Sequence, residues 1–183
     1  MRPDTVLDTL QAAGFEAWYA GGCVRDTLLG RPVHDWDVTT SALPEQVIAL
    51  FPKTVPTGLK HGTVTVLAQN QSVEVTTYRA DGSYHDGRHP DGVRFVRSLR
   101  EDTARRDFTV NAMVMAQDGR IVDYYGGRAD LAAKVLRCVG EPEQRFREDV
   151  LRMLRACRFA AQLGFSIEPE TWAALLRCAP ALA

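Results

Sequence analysis

The chain has 183 residues, 45% of them hydrophobic and 25% charged, with a formal net charge of −1. That is the profile of a globular protein able to bury a sizeable core, as one domain or as one domain and part of another. No apolar run approaches the roughly 20 residues needed to cross a bilayer, and the charge balance excludes a wholly basic nucleic-acid coat. The cysteines Cys23, Cys138, Cys157 and Cys178 form no C-x-x-C pair, so buried thiols are expected rather than a zinc site or a disulfide framework.

The N-terminal residues alternate Val6, Leu7 and Leu10 with Asp4 and Asp8 and lack an apolar signal core. They predict a surface helix ended by Gly14, and the expected location is cytoplasmic. Residues 15–20 read as a strand, Gly21 and Gly22 as a turn, and 23–29 as a helix ended by Gly30. A strand, a glycine turn and a helix start let backbone approach a ligand and aim unpaired N–H groups at an anion, with Arg25 beside it. The chain returns as a strand over 35–39, where Asp35 and Asp37 share a face. Two carboxylates on one face need a counterion. A phosphate seat and a divalent-cation seat so close together point to a metal–nucleoside triphosphate complex, although each feature alone is also what an ordinary turn or a capped strand end looks like.

Ser41 and Pro44 open a helix through residue 51, with Val47, Ile48 and Phe51 as its apolar side. Residues 62–68 and 73–78 read as a hairpin turning near Asn70 and Gln71. Glu74 interrupts the second strand and belongs either to the solvent face or to a site, since an adjacent antiparallel strand could bring it to the Asp pair. Residues 80–92, glycine-rich and containing His85 and His89, read as a mobile loop. A short strand over 93–96 precedes a capping box of Ser98 and Glu101, and the helix it opens is expected to carry residues 105–112. Strands over 121–125 and 135–139 follow, separated by a break at Gly126 and Gly127. The mixture predicts an α+β class with a mixed or antiparallel sheet.

From Pro142 the character changes to one long helix over 143–163, ended by Gly164, and another over 169–178. Asp149, Arg152 and Arg155 form a polar stripe on the first, either a salt-bridged exposed face or donors and acceptors suited to a base edge. Arginines crowd two segments, Arg94 to Arg106 and Arg145 to Arg158, giving local basic faces despite the near-neutral total.

Gly21-Gly22-Cys23-Val24-Arg25-Asp26 with Asp35-Trp36-Asp37, then Arg105-Arg106-Asp107-Phe108-Thr109-Val110-Asn111-Ala112, then Glu148-Asp149-Val150-Leu151-Arg152-Met153-Leu154-Arg155 resemble the ordered motifs of class II tRNA nucleotidyltransferases and bacterial poly(A) polymerases, in the polymerase-β-like superfamily. The resemblance implies a nucleotidyltransferase head over 1–140 and the beginning of a helical neck over 141–183. It implies that Asp35 and Asp37 bind two Mg²⁺ ions, with Glu74 the third catalytic carboxylate, for attack of an RNA 3′-hydroxyl on the α-phosphate with release of pyrophosphate. Gly21, Gly22 and Arg25 would hold the triphosphate, Arg106, Asp107 and Asn111 the ribose and phosphates, and Arg155 and Arg158 further parts of the nucleotide. Asp149 and Arg152 would read the base.

The implied activity is addition of C, CC, A or CCA to the 3′ end of tRNA from CTP and ATP, with no membrane partner. Lys60-His61-Gly62-Thr63-Val64 favours this branch over poly(A) polymerase. Relatives continue into body and tail domains, so the chain is expected to be part of a longer enzyme. A metal-dependent glycosyltransferase would leave Glu74 and the two arginine motifs unexplained. A non-catalytic RNA-binding module would not need three carboxylates.

Overall fold

The computed structural model describes residues 2–68, 70–82 and 92–182. The first helix, α1 (Asp4–Ala12), buries Val6, Leu7 and Leu10 and closes through Gly14 at φ +88°. Then follow β1 (Ala17–Ala20), α2 (Gly22–Leu28), β2 (Trp36–Thr40), α3 (Pro44–Leu50), β3 (Thr54–Gly58), β4 (Thr63–Ala68) and β5 (Gln71–Thr77). β6 (Arg79–Asp81) pairs with β7 (Val93–Phe95), and α4 (Leu99–Ala104), β8 (Val114–Met115), β9 (Ile121–Val122), α5 (Gly127–Ala133) and β10 (Val135–Leu136) complete the mixed part. The remainder is α6 (Pro142–Glu148), α7 (Leu151–Leu163), β11 (Ser166–Ile167) and α8 (Pro169–Cys178). Among the described residues no helix is long and apolar enough to cross a membrane.

The main sheet has the order β3-β4-β5-β2-β1-β8-β9. Its neighbours are antiparallel except at the centre, where β2 runs parallel to β5 with Asp37 opposite Glu74. The antiparallel approach expected for Glu74 is therefore wrong in direction, though right in which strands meet. The class is α+β with a mixed sheet. Alternation sets the two faces: Tyr19, Trp36, Val38, Val73 and Val75 point into the main core, whereas Trp18, Ala20 and Val114 belong to a smaller cluster completed by Tyr78, Val96 and Leu99. Asp37 and Thr39 lie on this second face, where α4 packs and Thr39 Oγ1 donates to Asp102 Oδ2 at 2.8 Å. The main core continues without interruption from α1 to Phe146, Met153, Ala174 and Leu175 of the C-terminal helices. β10 and β11 pair in parallel across the same join.

Several local expectations fail for physical reasons. The helix opened by Ser98 stops at Ala104, and 105–112 is a turn segment containing a short 3₁₀ stretch, Thr109–Asn111. The backbone N–H groups of Thr109 and Val139 instead bond the carbonyls of Arg137 and Asp107. The helix expected over 143–163 breaks at Asp149, which is extended at φ −142°, ψ 104°. Its own Oδ1 accepts from Leu151 N at 2.9 Å, and so substitutes for a helical bond. Ile48 of α3 is exposed, and the helix buries Pro44 and Val47. Cys157 is exposed, unlike the other cysteines. Residues 83–91 of the expected loop, with His85 and His89, lie outside the described residues.

Candidate functional site

The site forms where β1 ends and β2 begins. Gly21 sits at φ +75°, ψ −134°, and a Cβ there would lie 3.0 Å from Arg106 Nη1 and 3.8 Å from Asp37 Oδ2. Only glycine allows both the backbone conformation and this approach. Asp37 emerges beside it, and Asp35 precedes β2 on the exposed side.

A cleft of about 720 Å³ opens over this point. Gly21, Gly22, Arg25, Asp35, Asp37, Arg106, Asp107, Asn111, Asp149, Arg152, Arg155 and Arg158 all line it. Segments separated by more than a hundred residues thus converge as the motifs predict. Glu74 does not line the cleft; it is exposed on β5, opposite Asp37 in register.

The carboxylates carry negative charge that the protein does not fully offset. Burial first, then the neighbouring Glu74 and Asp35 carboxylates, push the Asp37 carboxyl up to about 6 against the opposing pull of Arg106. Among the described residues no three His, Cys, Asp or Glu side chains converge tightly enough to enclose a cation. Hard oxygen donors in an open, incompletely closed set still fit one cation chemistry: Mg²⁺ binds through one or two carboxylates plus substrate phosphates and keeps several waters. Burial pushes the Cys23 thiol up to about 11. It donates to the Ala20 carbonyl at 3.2 Å, so it is a neutral structural donor and not a nucleophile.

The basic side of the cleft is fixed by two hubs. Asp107 Oδ2 accepts from Arg155 Nε at 2.8 Å, and its Oδ1 accepts from Phe108 N at 2.8 Å and Asn111 Nδ2 at 3.2 Å. Asn111 Oδ1 in turn accepts from Arg25 Nη1 at 2.8 Å, while Asp26 holds the same guanidinium from the other side at 2.9 Å. This chain joins α2, the 105–112 segment and α7. The second hub, Asp102, is fully buried and takes Arg105 Nε at 3.0 Å, the Arg79 N–H at 3.2 Å and Thr39 Oγ1. Arg106 Nη2 lies 3.7 Å from its Oδ2. Burial pulls Arg106 below its ordinary range while Asp102 and Asp37 support its charge, and its Nε is buried without a partner. Sequence reasoning missed Asp102. Its signal is a short-range one, a carboxylate three and four residues before paired arginines on a capped helix.

The break between α6 and α7 places Asp149 in the cleft instead of on a helix face. Arg152 beside it is held by Glu148 Oε2 at 2.6 Å and the Arg145 carbonyl at 3.0 Å. An acceptor residue and a donor residue thus line the same cleft, joined by the bond from the Arg152 N–H to the Asp149 carbonyl at 3.0 Å. Phe159, also missed from sequence, lines the cleft at the far end of this arginine row.

Comparison with known proteins agrees with this geometry. A family model described as the Poly A polymerase head domain matches residues 17–137. The CCA-adding enzyme of Leuconostoc citreum is 54% identical over 175 residues, covering 96% of this chain and 43% of that protein. That of Geobacillus stearothermophilus is 52% identical over 178 residues, covering 97% and 44%. The crystal structure of the Bacillus stearothermophilus CCA-adding enzyme in complex with CTP superposes with a TM-score of 0.91 at 48% identity, over 100% of this chain and 45% of that one. A tRNA nucleotidyltransferase complexed with a primer tRNA and an incoming ATP analog matches with a TM-score of 0.76 at 30% identity, over 96% and 50%. The chain spans less than half the length of the curated relatives it matches.

Proposed function

Because this chain belongs to the Poly A polymerase head domain family, we propose that it carries the catalytic head, with the first helices of a neck from residue 141, of a template-independent tRNA nucleotidyltransferase. Its substrates are CTP, ATP and the 3′ end of tRNA, to which it adds C and A residues as CCA, CC or A, in the cytoplasm. The family implies dependence on a divalent metal, which we take to be Mg²⁺. The observation that carries the reading is the single cleft where Asp35 and Asp37 meet Arg25, Arg106 and the Asp149–Arg152 pair. It is supported by the names of the relatives and by nucleotide and tRNA complexes of similar structures.

Asp35 and Asp37 are the residues that would hold the metal, with Glu74 adding negative charge from the neighbouring strand. Bound there, Mg²⁺ supplies Lewis-acid activation of the 3′-hydroxyl and neutralises charge on the leaving pyrophosphate. Gly21 and Gly22 give room for phosphates against the backbone, and Arg25 and Arg106 bring fixed positive charge to them. Asp107 and Asn111, locked to each other and to Arg25 and Arg155, orient the sugar.

Asp149 accepts and Arg152 donates. Cytosine and adenine both present an amino donor beside a ring-nitrogen acceptor on the Watson–Crick edge, whereas uracil and guanine present the reverse. A fixed acceptor beside a fixed donor thus accepts the first pair and leaves unpaired buried groups with the second, which is how protein can replace a template.

The test is incubation of the protein with tRNA lacking CCA, and with tRNA ending in CC, in CTP or ATP and Mg²⁺, beside an Asp35→Ala/Asp37→Ala control. Extension by one to three residues, lost in the control, is expected. Long A tails would assign bacterial poly(A) polymerase, and absence of extension by a protein that also fails to bind CTP would reject the family activity for this chain.

A further inference from the structure

Phe159 stands within a cluster of positive charge that the Asp26 and Asp107 carboxylates offset only in part. Its ring centroid lies 5.2 Å from the Arg25 guanidinium carbon, 5.3 Å from that of Arg155 and 4.9 Å from that of Arg158. Arg25 comes from α2, the other two from α7, so the ring gathers cations from both walls of the cleft. Its own orientation is set from behind: Phe108, fully buried, meets it edge-on at 6.0 Å and 86°, and Phe108 is tied to Cys138 by a β-bridge.

Three guanidinium groups around one ring repel one another. Asp26 offsets Arg25 and Asp107 offsets Arg155, but the exposed Arg158 makes no ion pair among the described residues and meets the Phe159 ring instead. The electron-rich face of an aromatic ring attracts a cation without neutralising it. A carboxylate in place of Phe159 would fix the same arginines and cancel their field. The ring fixes them and leaves the cluster positive.

We propose that Phe159 is a positioning residue that presets Arg25, Arg155 and Arg158 as a seat for the polyphosphate of the substrate. The inference rests on the nucleotide-binding reading of the cleft and adds to it a residue that acts on the phosphates through the arginines it contacts. Phe159 acts through the π-face it offers to guanidinium groups, so its shape alone does not suffice: an aliphatic side chain of similar bulk fills the same space and loses the attraction, while tyrosine or tryptophan keeps it.

The experiment measures binding of CTP and of inorganic tripolyphosphate, by calorimetry, to the wild-type chain and to Phe159→Leu, Phe159→Met, Phe159→Tyr and Phe159→Trp. Thermal unfolding is recorded for each. The expected result is weakening of both ligands by about 3- to 10-fold in the leucine and methionine variants. Tyrosine or tryptophan is expected to recover binding within about twofold, and cytidine without phosphates to show no difference. Either aliphatic variant that folds and binds tripolyphosphate like wild type overturns the proposal, as does equal loss in the aliphatic and aromatic variants, which would mean packing alone. Wild-type protein that binds neither CTP nor tripolyphosphate would instead overturn the nucleotide reading, and this inference with it.

Discussion

Asp37, the metal ligand proposed above, carries a charge that works against the stability of the ligand-free fold. Its carboxyl is raised from 3.8 to about 6 by burial and by Glu74 and Asp35, so the folded state holds the proton more tightly than the unfolded chain does. The sign follows by linkage: this contribution is most favourable at low pH, declines as pH rises between about 4 and 6, and stays unfavourable above that. Two pKa units correspond to about 3 kcal/mol, and solvent screening of a half-buried carboxylate reduces this to about 1–2 kcal/mol. Asp37→Asn should therefore stabilise the protein by that amount at pH 8 in a chelator, raising Tm by about 2–6 °C, while transfer activity falls by about 10³-fold. Thermal unfolding from pH 4 to 8, with and without Mg²⁺, is the assay. Mg²⁺ should stabilise wild type and not the variant, and its affinity for wild type should rise as pH passes 6. If Asp37→Asn is less stable than wild type at pH 8 without metal, the claim of uncompensated charge is wrong.

Asp102→Asn removes a buried carboxylate from Arg105, Arg106 and Thr39, and should cost about 3–5 kcal/mol, read as a lower urea midpoint. Because the Asp102 carboxyl is held below its usual range with Arg105 and Arg106 beside it, wild type should lose this contribution only as pH falls below about 4. Gly127→Ala would place a Cβ 2.2 Å from the Thr109 carbonyl oxygen; it should destabilise by about 1–3 kcal/mol or more and raise KM for CTP by displacing Asp107 and Asn111. Asp149→Ala should lower incorporation of C and A relative to U by about 10- to 100-fold, measured by single-nucleotide extension, with stability lowered by about 0.5–2 kcal/mol through loss of the Leu151 N–H bond.

The parts of the fold that followed from sequence are those set by period and punctuation. α1 has its apolar stripe and Gly14, the β4–β5 hairpin its turn near Asn70, and α8 spans residues 169–178 as expected. The lining of the cleft was legible because most of its residues sit in contiguous motifs, each ending a strand or bounding a helix. What failed depended on partners distant in sequence. Nothing local distinguishes a helix over 105–112 from a turn in which the Thr109 N–H donates to the Arg137 carbonyl and the Asp107 carbonyl accepts from Val139 N–H. β3 was hidden by Pro56 and by an exposed edge pattern with a register shift. The parallel pairing of β2 with β5 is a topological fact that alternation cannot reveal. Asp149 keeps a helical spacing with Arg152, yet its side chain takes the backbone bond that would have continued the helix. Phe159 and Asp102 read as ordinary helix residues until the arginines around them are seen.

The most direct measurement is a crystal of the protein soaked with CTP and Mn²⁺, a cation that takes the same oxygen ligands and can be located by its anomalous scattering. The account predicts an anomalous peak on the carboxylates of Asp35 and Asp37, the triphosphate against Gly21, Gly22 and Arg25, and the cytosine edge on Asp149 and Arg152. A nucleotide bound elsewhere, or a metal peak away from those two carboxylates, would contradict it.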